Sequence, residues 1–374
     1  MTAAAQAPFD PRDREEVAAY VRRFDGTGPR LVTRIHPADE MYRFGSTALH
    51  RTPGVTAILY FATGQQIFHA VEEIVGWRFG GFGAVRSLLD FASGYGRSTR
   101  FLVRALAPDA ITVAEIDPGA VRFQEEAFGV RGIVPGAGPE SLRLDGPFDV
   151  VLASSFFSHL PPERFESWME RLSALVAPGG VLIFSVHGIE LLPPGETEPP
   201  SGISFRPVSE TQRLEGSEYG TSYVTPGYVR SVTERVAGGG GRLLAFPLGL
   251  CGYQDLYALC RPPVPVLPDF RLARVPSGAL EHSTIADGVV AAEGWAQGDL
   301  DERPPDVRLH LGERVAAVSP GAGSVGARRD WRFTFPVADT DPDAIVRVEA
   351  ESPRGVSRIL VAATLRPYLP VPTP

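Results

Sequence analysis

The segment LLDFASGYGRSTRFL, residues 88–102, holds the residues best suited to chemistry. An apolar run ends at Asp90, and Gly94 and Gly96 then let backbone approach a ligand before Ser98 opens a helix. A helix N-terminus beside a glycine turn suits a negatively charged group. Three readings fit such a loop. A dinucleotide fingerprint fits through its second glycine but meets Thr99 where a third Gly or Ala belongs. A phosphate loop needs a lysine, and the chain contains none. A purely structural turn would not need the acid at Asp90. About 20 residues beyond Gly94 the run ITVAEID places Glu115 at its end, where an acid accepts hydrogen bonds from a ribose diol. Two features suited to one nucleoside weigh more than either alone.

These residues need a scaffold of alternating strands and helices. SLLDFA, ITVAE, FDVVLAS and VLIFSVHG are apolar strand-like runs. Between them lie STRFLVRAL, DPGAVRFQEEAF and PPERFESWMERLSALV as helices, with Asp117 as an N-cap and Pro118 at the first helical position. That alternation predicts a mostly parallel sheet covered on both faces. Upstream, Ile67, Phe68, Val71, Ile74 and Val75 share one helical face, and Asp13 is placed to cap a short helix, REEVAAYVRRF. Residues 189–225 are polar and Pro-rich, too long for an ordinary connection, and read as a lid. The helix GYVRSVTERVA and the strands LLAFPL and YQDLYALC close the unit. RPPVPVLP then predicts a stiff spacer, and the short alternating strands beyond it predict a small β-sandwich.

Composition sets the bounds. The chain has 374 residues, 44% hydrophobic and 21% charged, with 40 glycines and 35 prolines. This is enough for two or three folding units and many turns. A net charge of −8 without basic clusters argues against nucleic acid as a partner. No basic end followed by an apolar stretch opens the chain, and its apolar runs fall short of the ~20 residues that span a bilayer. A soluble, cytoplasmic protein without membrane contact is expected. Cys251 and Cys260 have no metal spacing; on one strand they would lie roughly 30 Å apart, too far for a disulfide.

Four segments in order resemble the class I S-adenosylmethionine-dependent methyltransferases. DFASGYG resembles their first motif, D/E-x-G-x-G-x-G, with Ala92 in place of the first glycine. AEIDP resembles the second motif, FDVVLASSFFSHLPPE the fourth-strand region, and LVAPGGVLIFSVHG the loop and strand that follow. The likeness spans residues 87–188 and extends through two final strands to about residue 261. It implies a Rossmann-like, seven-stranded α/β sheet that binds S-adenosyl-L-methionine and releases S-adenosyl-L-homocysteine. Asp90 would steady the methionine amino group, and Ala92, Ser93, Gly94 and Gly96 would present backbone to the methionine end. Glu115 would take the ribose hydroxyls, Ile116 would pack on adenine, and Ser154 and Ser155 would line the sulfonium end. The position where many relatives carry an acid for the adenine amine is Ala137, so Glu140 or a backbone carbonyl would substitute. IHPADEMY, AILYFATG, FSVHG and YGTSYV further resemble bacterial methyltransferases of glycan and natural-product chemistry.

Methyl transfer to oxygen or nitrogen needs positioning and, for many acceptors, a base. His159 and His187 end the fourth and fifth strands of that sheet, on the edge where open α/β sheets bind ligands, and imidazole accepts protons near neutral pH. Tyr42, Asp39 and Glu40 are further candidates. His159 packing the next helix, and the ADEMY residues capping theirs, are the plain structural alternatives. Arg97 reads as a solvated charge or a ligand contact, Tyr60 and Phe61 as wall or core, and Trp295 and Trp331 as buried β-domain residues or a sugar-stacking face. The chain therefore divides into an N-terminal helical cap (1–80), a cofactor domain (81–261) with the 189–225 lid, a linker (262–268) and an accessory β-domain (269–374). The expected reaction is methylation of an oxygen on a sugar or secondary metabolite, without a metal, in a possible homo-oligomer. A non-methylating enzyme using the same cofactor and a non-catalytic scaffold are the alternatives.

Overall fold

The computed structural model describes residues 8–364 apart from Thr27, Asp145, Val318 and the segments 209–213, 238–239, 300–301, 312–313, 321–326 and 337–343. The central sheet begins with five parallel strands: β1 (Leu88–Phe91), β2 (Ile111–Ala114), β3 (Arg131–Ile133), β4 (Phe148–Ala153) and β5 (Val176–Gly188). They lie in the order β3-β2-β1-β4-β5. Further along the chain come β6 (Ile203–Arg206), β7 (Thr221–Val224), β8 (Arg242–Leu250) and β9 (Gln254–Cys260). β9 lies antiparallel on β5, and β8 antiparallel on β9. The seven strands β3-β2-β1-β4-β5-β9-β8 form the Rossmann-like sheet expected. Leu88 and Leu89 of β1 enter separate core clusters on its two faces, which is why its strands read as continuous apolar runs.

Seven α-helices accompany these strands in the described residues: α1 (Glu15–Val21), α2 (Glu40–Arg43), α3 (Pro53–Phe79), α4 (Thr99–Ala105), α5 (Pro118–Phe128), α6 (Pro162–Ala174) and α7 (Pro226–Ala237). Asp117 caps α5 as anticipated, accepting from Gly119 N. Two caps differ from expectation. Arg14 precedes α1 without a side-chain cap, while Asp10 caps the short turn before it. Ser98 precedes α4, but its hydroxyl turns inward to Asp90. The insertion after β5 is partly regular: β6 and β7 form a hairpin, and β7 pairs with β5 at His187 and Gly188.

Beyond residue 276 two four-stranded antiparallel sheets share one apolar core that includes Val290, Phe333, Phe335, Val307, Leu309 and Val348. Trp331 is buried in that core, whereas Trp295 is half-buried with Arg328 over its ring. Contacts nevertheless cross the proline spacer. Leu272 and Ile345 are buried within the apolar clusters of the preceding helices, and Trp77 stacks on Phe270. Among the described residues no helix is long and apolar enough to cross a membrane, and no three His, Cys, Asp or Glu side chains gather as a metal set.

Candidate active site

A cavity opens over the carboxyl ends of β4, β1, β2 and β3. It is lined by Asp90, Ala92, Ser93, Gly94, Glu115, Ile116, Ser154, Ser155 and His159. Asp39, Glu40, Met41 and Arg97 border it on one side, and Glu218 and Tyr219 of the insertion on another.

The loop after β1 is shaped by its backbone. Ala92 has a φ of 54°, the left-handed region where a glycine is ordinarily found, and its N–H donates to Ala114 O at 2.8 Å. Gly94 has a φ of 56°, and a Cβ there would meet no atom within 4 Å because it would project into open space. That leaves the loop backbone open to the cavity. Gly96 differs: it is not part of the lining, and a Cβ would lie 2.3 Å from Phe128. Its smallness serves packing against α5 rather than ligand approach.

Buried polar side chains fix this loop. Gln124 of α5 donates to Ser93 Oγ and Gly94 O, each at 2.8 Å. Thr99 Oγ1 lies 2.8 Å from both Gln124 Oε1 and Asp90 Oδ2, and its single proton serves one of them. Ser98 also donates to Asp90 Oδ2, at 3.2 Å. Burial pushes the Asp90 carboxyl up to about 6, against the pull of the two hydroxyls. A proton on Asp90 lets the carboxyl donate to Thr99 while Thr99 donates to Gln124. Glu115 accepts from Gly94 N at 2.9 Å and from Asp117 N at 3.1 Å. Burial still raises its carboxyl above the ordinary value.

Beyond β4, His159 Nδ1 lies 2.8 Å from Gly220 O, and Gly220 N donates back to His159 O at 2.8 Å. Tyr219 stacks on the His159 ring, with centroids 4.7 Å apart. Ser155, at a φ of 58°, donates its N–H to Ser185 Oγ, and its own Oγ accepts from Gln254 Nε2.

Three other expected residues lie outside the lining. His187 sits behind the wall: Gln254 Nε2 is 3.2 Å from its Nε2, and burial and the neighbouring His159 bring it down to about 4. Tyr42 is buried against Phe9, with its hydroxyl aimed at Pro53 O. Glu140 lies on a separate surface hollow with Arg143 and Arg171, because the turn Pro139–Ser141 carries it away from the main cavity. The sequence reading missed Gln124, Arg164 and Glu218. Gln124 carries no local signal, since its role depends on α5 packing against the glycine loop.

Residues 89–182 match the family model described as a methyltransferase domain. Over 102 residues the chain is 28% identical to a probable phthiotriol/phenolphthiotriol dimycocerosates methyltransferase 2 of Mycobacterium ulcerans, covering 27% of this chain and 39% of that protein. Over 109 residues it is 31% identical to the ribosomal protein L11 methyltransferase of Agrobacterium fabrum, covering 27% of this chain and 35% of that one. The match thus spans little more than a third of each relative. Among solved structures, the DhpI-SAM-HEP complex aligns over 56% of this chain and 96% of its own, at 22% identity and a TM-score of 0.37. The plantazolicin methyltransferase BamL aligns over 60% of this chain and 96% of its own, at 10% identity and a TM-score of 0.40. Residues 89–182 thus match a methyltransferase domain, and their strand order and glycine loop are similar to those of class I methyltransferases, which use S-adenosylmethionine.

Proposed function

We propose that the chain transfers a methyl group from S-adenosylmethionine to an oxygen of a small molecule, a sugar or secondary metabolite, with His159 as general base. The observation that carries this reading is the 2.8 Å contact between His159 Nδ1 and Gly220 O. Gly220 O can only accept, so Nδ1 bears the ring proton of the neutral imidazole and Nε2 is the basic nitrogen. The same carbonyl steadies the imidazolium once Nε2 has taken the hydroxyl proton. Ser93, Gly94 and Glu115 would hold the cofactor, which when bound supplies an electrophilic methyl carbon on a sulfonium. Phe156, Leu160 and Tyr219 give the cavity apolar walls that keep water from competing as acceptor. Six carboxylates border it against Arg97 and Arg164, a field that favours a cationic cofactor over its neutral thioether product.

The N-terminal helices and the 189–225 insertion form the acceptor walls in this reading. The test is incubation with S-adenosylmethionine and a panel of sugar and secondary-metabolite alcohols, followed by mass analysis for one added methyl. His159→Ala should lower turnover about 10²–10⁴-fold with S-adenosylhomocysteine affinity intact. Activity within a few-fold of the parent would instead assign catalysis to positioning or to the Asp39–Glu40 side.

A further inference from the structure

We propose that Glu218, delivered by the insertion, reads the exocyclic amine of the cofactor's base; this rests on the S-adenosylmethionine reading above. The cavity crosses the sheet from β4 over β1 and β2 to β3. With the methionine end over Ser93 and Gly94 and the ribose at Glu115, the base must lie beyond β2, between Ile116 and the loop Pro135–Ala137. That loop lines the cavity with Pro, Gly and Ala, none of which has a side chain able to accept a hydrogen bond. An amine buried there without an acceptor would cost about 1–3 kcal/mol.

Arg164, in the first turn of α6, supplies the link. Its Nη1 donates to Ala137 O at 3.0 Å, and its Nη2 donates to Glu218 Oε1 at 2.7 Å. One planar guanidinium therefore joins the loop beside the base to the insertion, and sets the Glu218 carboxylate one guanidinium's width from Ala137. Four of the five other cavity acids have commitments of their own, and the fifth, Glu40, lies beside Asp39 and Met41 on the N-terminal side. Asp39 accepts from Tyr42 N and Tyr60 Oη, Asp117 accepts from Gly119 N and Tyr95 Oη, and Asp90 and Glu115 serve the glycine loop. Arg164 takes Glu218 Oε1, and Oε2 is the acceptor for the amine. The next two residues, Tyr219 and Gly220, are those that hold His159. Base recognition and placement of the general base thus reside on one short stretch of the insertion.

The test compares S-adenosylhomocysteine with S-inosylhomocysteine, in which a carbonyl oxygen replaces the amine, by calorimetry on the full chain. A carboxylate accepts from the amine and repels the oxygen, so the parent should prefer S-adenosylhomocysteine at least about 10-fold. Glu218→Gln, whose amide can donate to the oxygen, should shrink or invert that ratio by about 10-fold or more, and Glu218→Ala should bring the two ligands close together. A parent that binds S-adenosylhomocysteine while both variants keep its ratio overturns the assignment to Glu218. A parent that binds neither ligand overturns the cofactor reading itself.

Discussion

A Cβ on Gly94 would stand in open cavity, whereas one on Gly96 would strike the Phe128 ring. Both residues have positive φ, so any side chain adds some strain at either position. The two substitutions should nevertheless fail differently. Gly94→Ala should lose S-adenosylhomocysteine binding at nearly the parent's melting temperature. Gly96→Ala should lower the melting temperature first, by an overpacking cost of about 1–3 kcal/mol. Equal melting losses in both would contradict the distinction. Asp90 gives a pH dependence. Its carboxyl sits at about 6 in the folded chain against 3.8 ordinarily, so the folded state binds the proton more tightly. This contribution to stability is present below pH 3.8 and lost as pH rises through about 6. Urea midpoints of the cofactor-free parent and Asp90→Asn should therefore diverge in the variant's favour between pH 4 and 7, by on the order of 2–3 kcal/mol. Parallel curves would mean that Asp90 is not held protonated.

At the scale of elements, what was legible from sequence is what lies within one strand-turn-helix unit. The glycine loop, Glu115 and the Asp117 cap are local patterns, and each sits on the element its neighbours imply. β3, RGI, escaped notice because three partly exposed residues leave no apolar rhythm. The strand Ser277–Ala286 escaped likewise, since most of its residues face solvent. Arg164 and Glu218 are 54 residues apart, and only the docking of the insertion brings them together. Arg100 of α4 also depends on such docking: it is fully buried and donates to Gly96 O, Val32 O and Arg34 O, with its guanidinium 5.1 Å from the Tyr60 ring. It thereby stitches the glycine loop to the N-terminal segment. Arg100→Met keeps much of the volume and abandons these carbonyls. It should cost at least about 2 kcal/mol in chemical denaturation, the order of one stranded buried acceptor. A neutral result would show that the stitch adds nothing to folding.

For the whole molecule, the expectation of an autonomous C-terminal β-domain meets an interface of direct, partly buried contacts. Arg23, just past α1, forms a two-pronged ion pair with Glu349 at 2.5 and 2.8 Å. Gln66 and Glu73 of α3 reach Ser357 O and Ala273 N, and Arg354 pairs with Glu73. Ile345 completes the apolar cluster of α1 and α3. Removing everything after Pro262 would uncover that face, so a truncated chain should lose stability before its cofactor site is itself altered. The sharper test leaves the chain whole. Burial opposes charge on Glu349, but the Arg23 hydrogen bonds and the charges of Arg23 and Arg347 bring it down to about 2. Its contribution is complete above pH 4.5 and lost as pH falls toward 2. Glu349→Ala leaves two guanidinium groups without this partner and should cost about 3–5 kcal/mol at neutral pH, a penalty that fades as the parent is acidified. If the β-sheets are a buttress for α1 and α3, scanning calorimetry should show one cooperative transition that moves as a unit in the variant. Two separate transitions, with only the later-folding module shifted by Glu349→Ala, would restore the picture of an independent domain on a proline spacer.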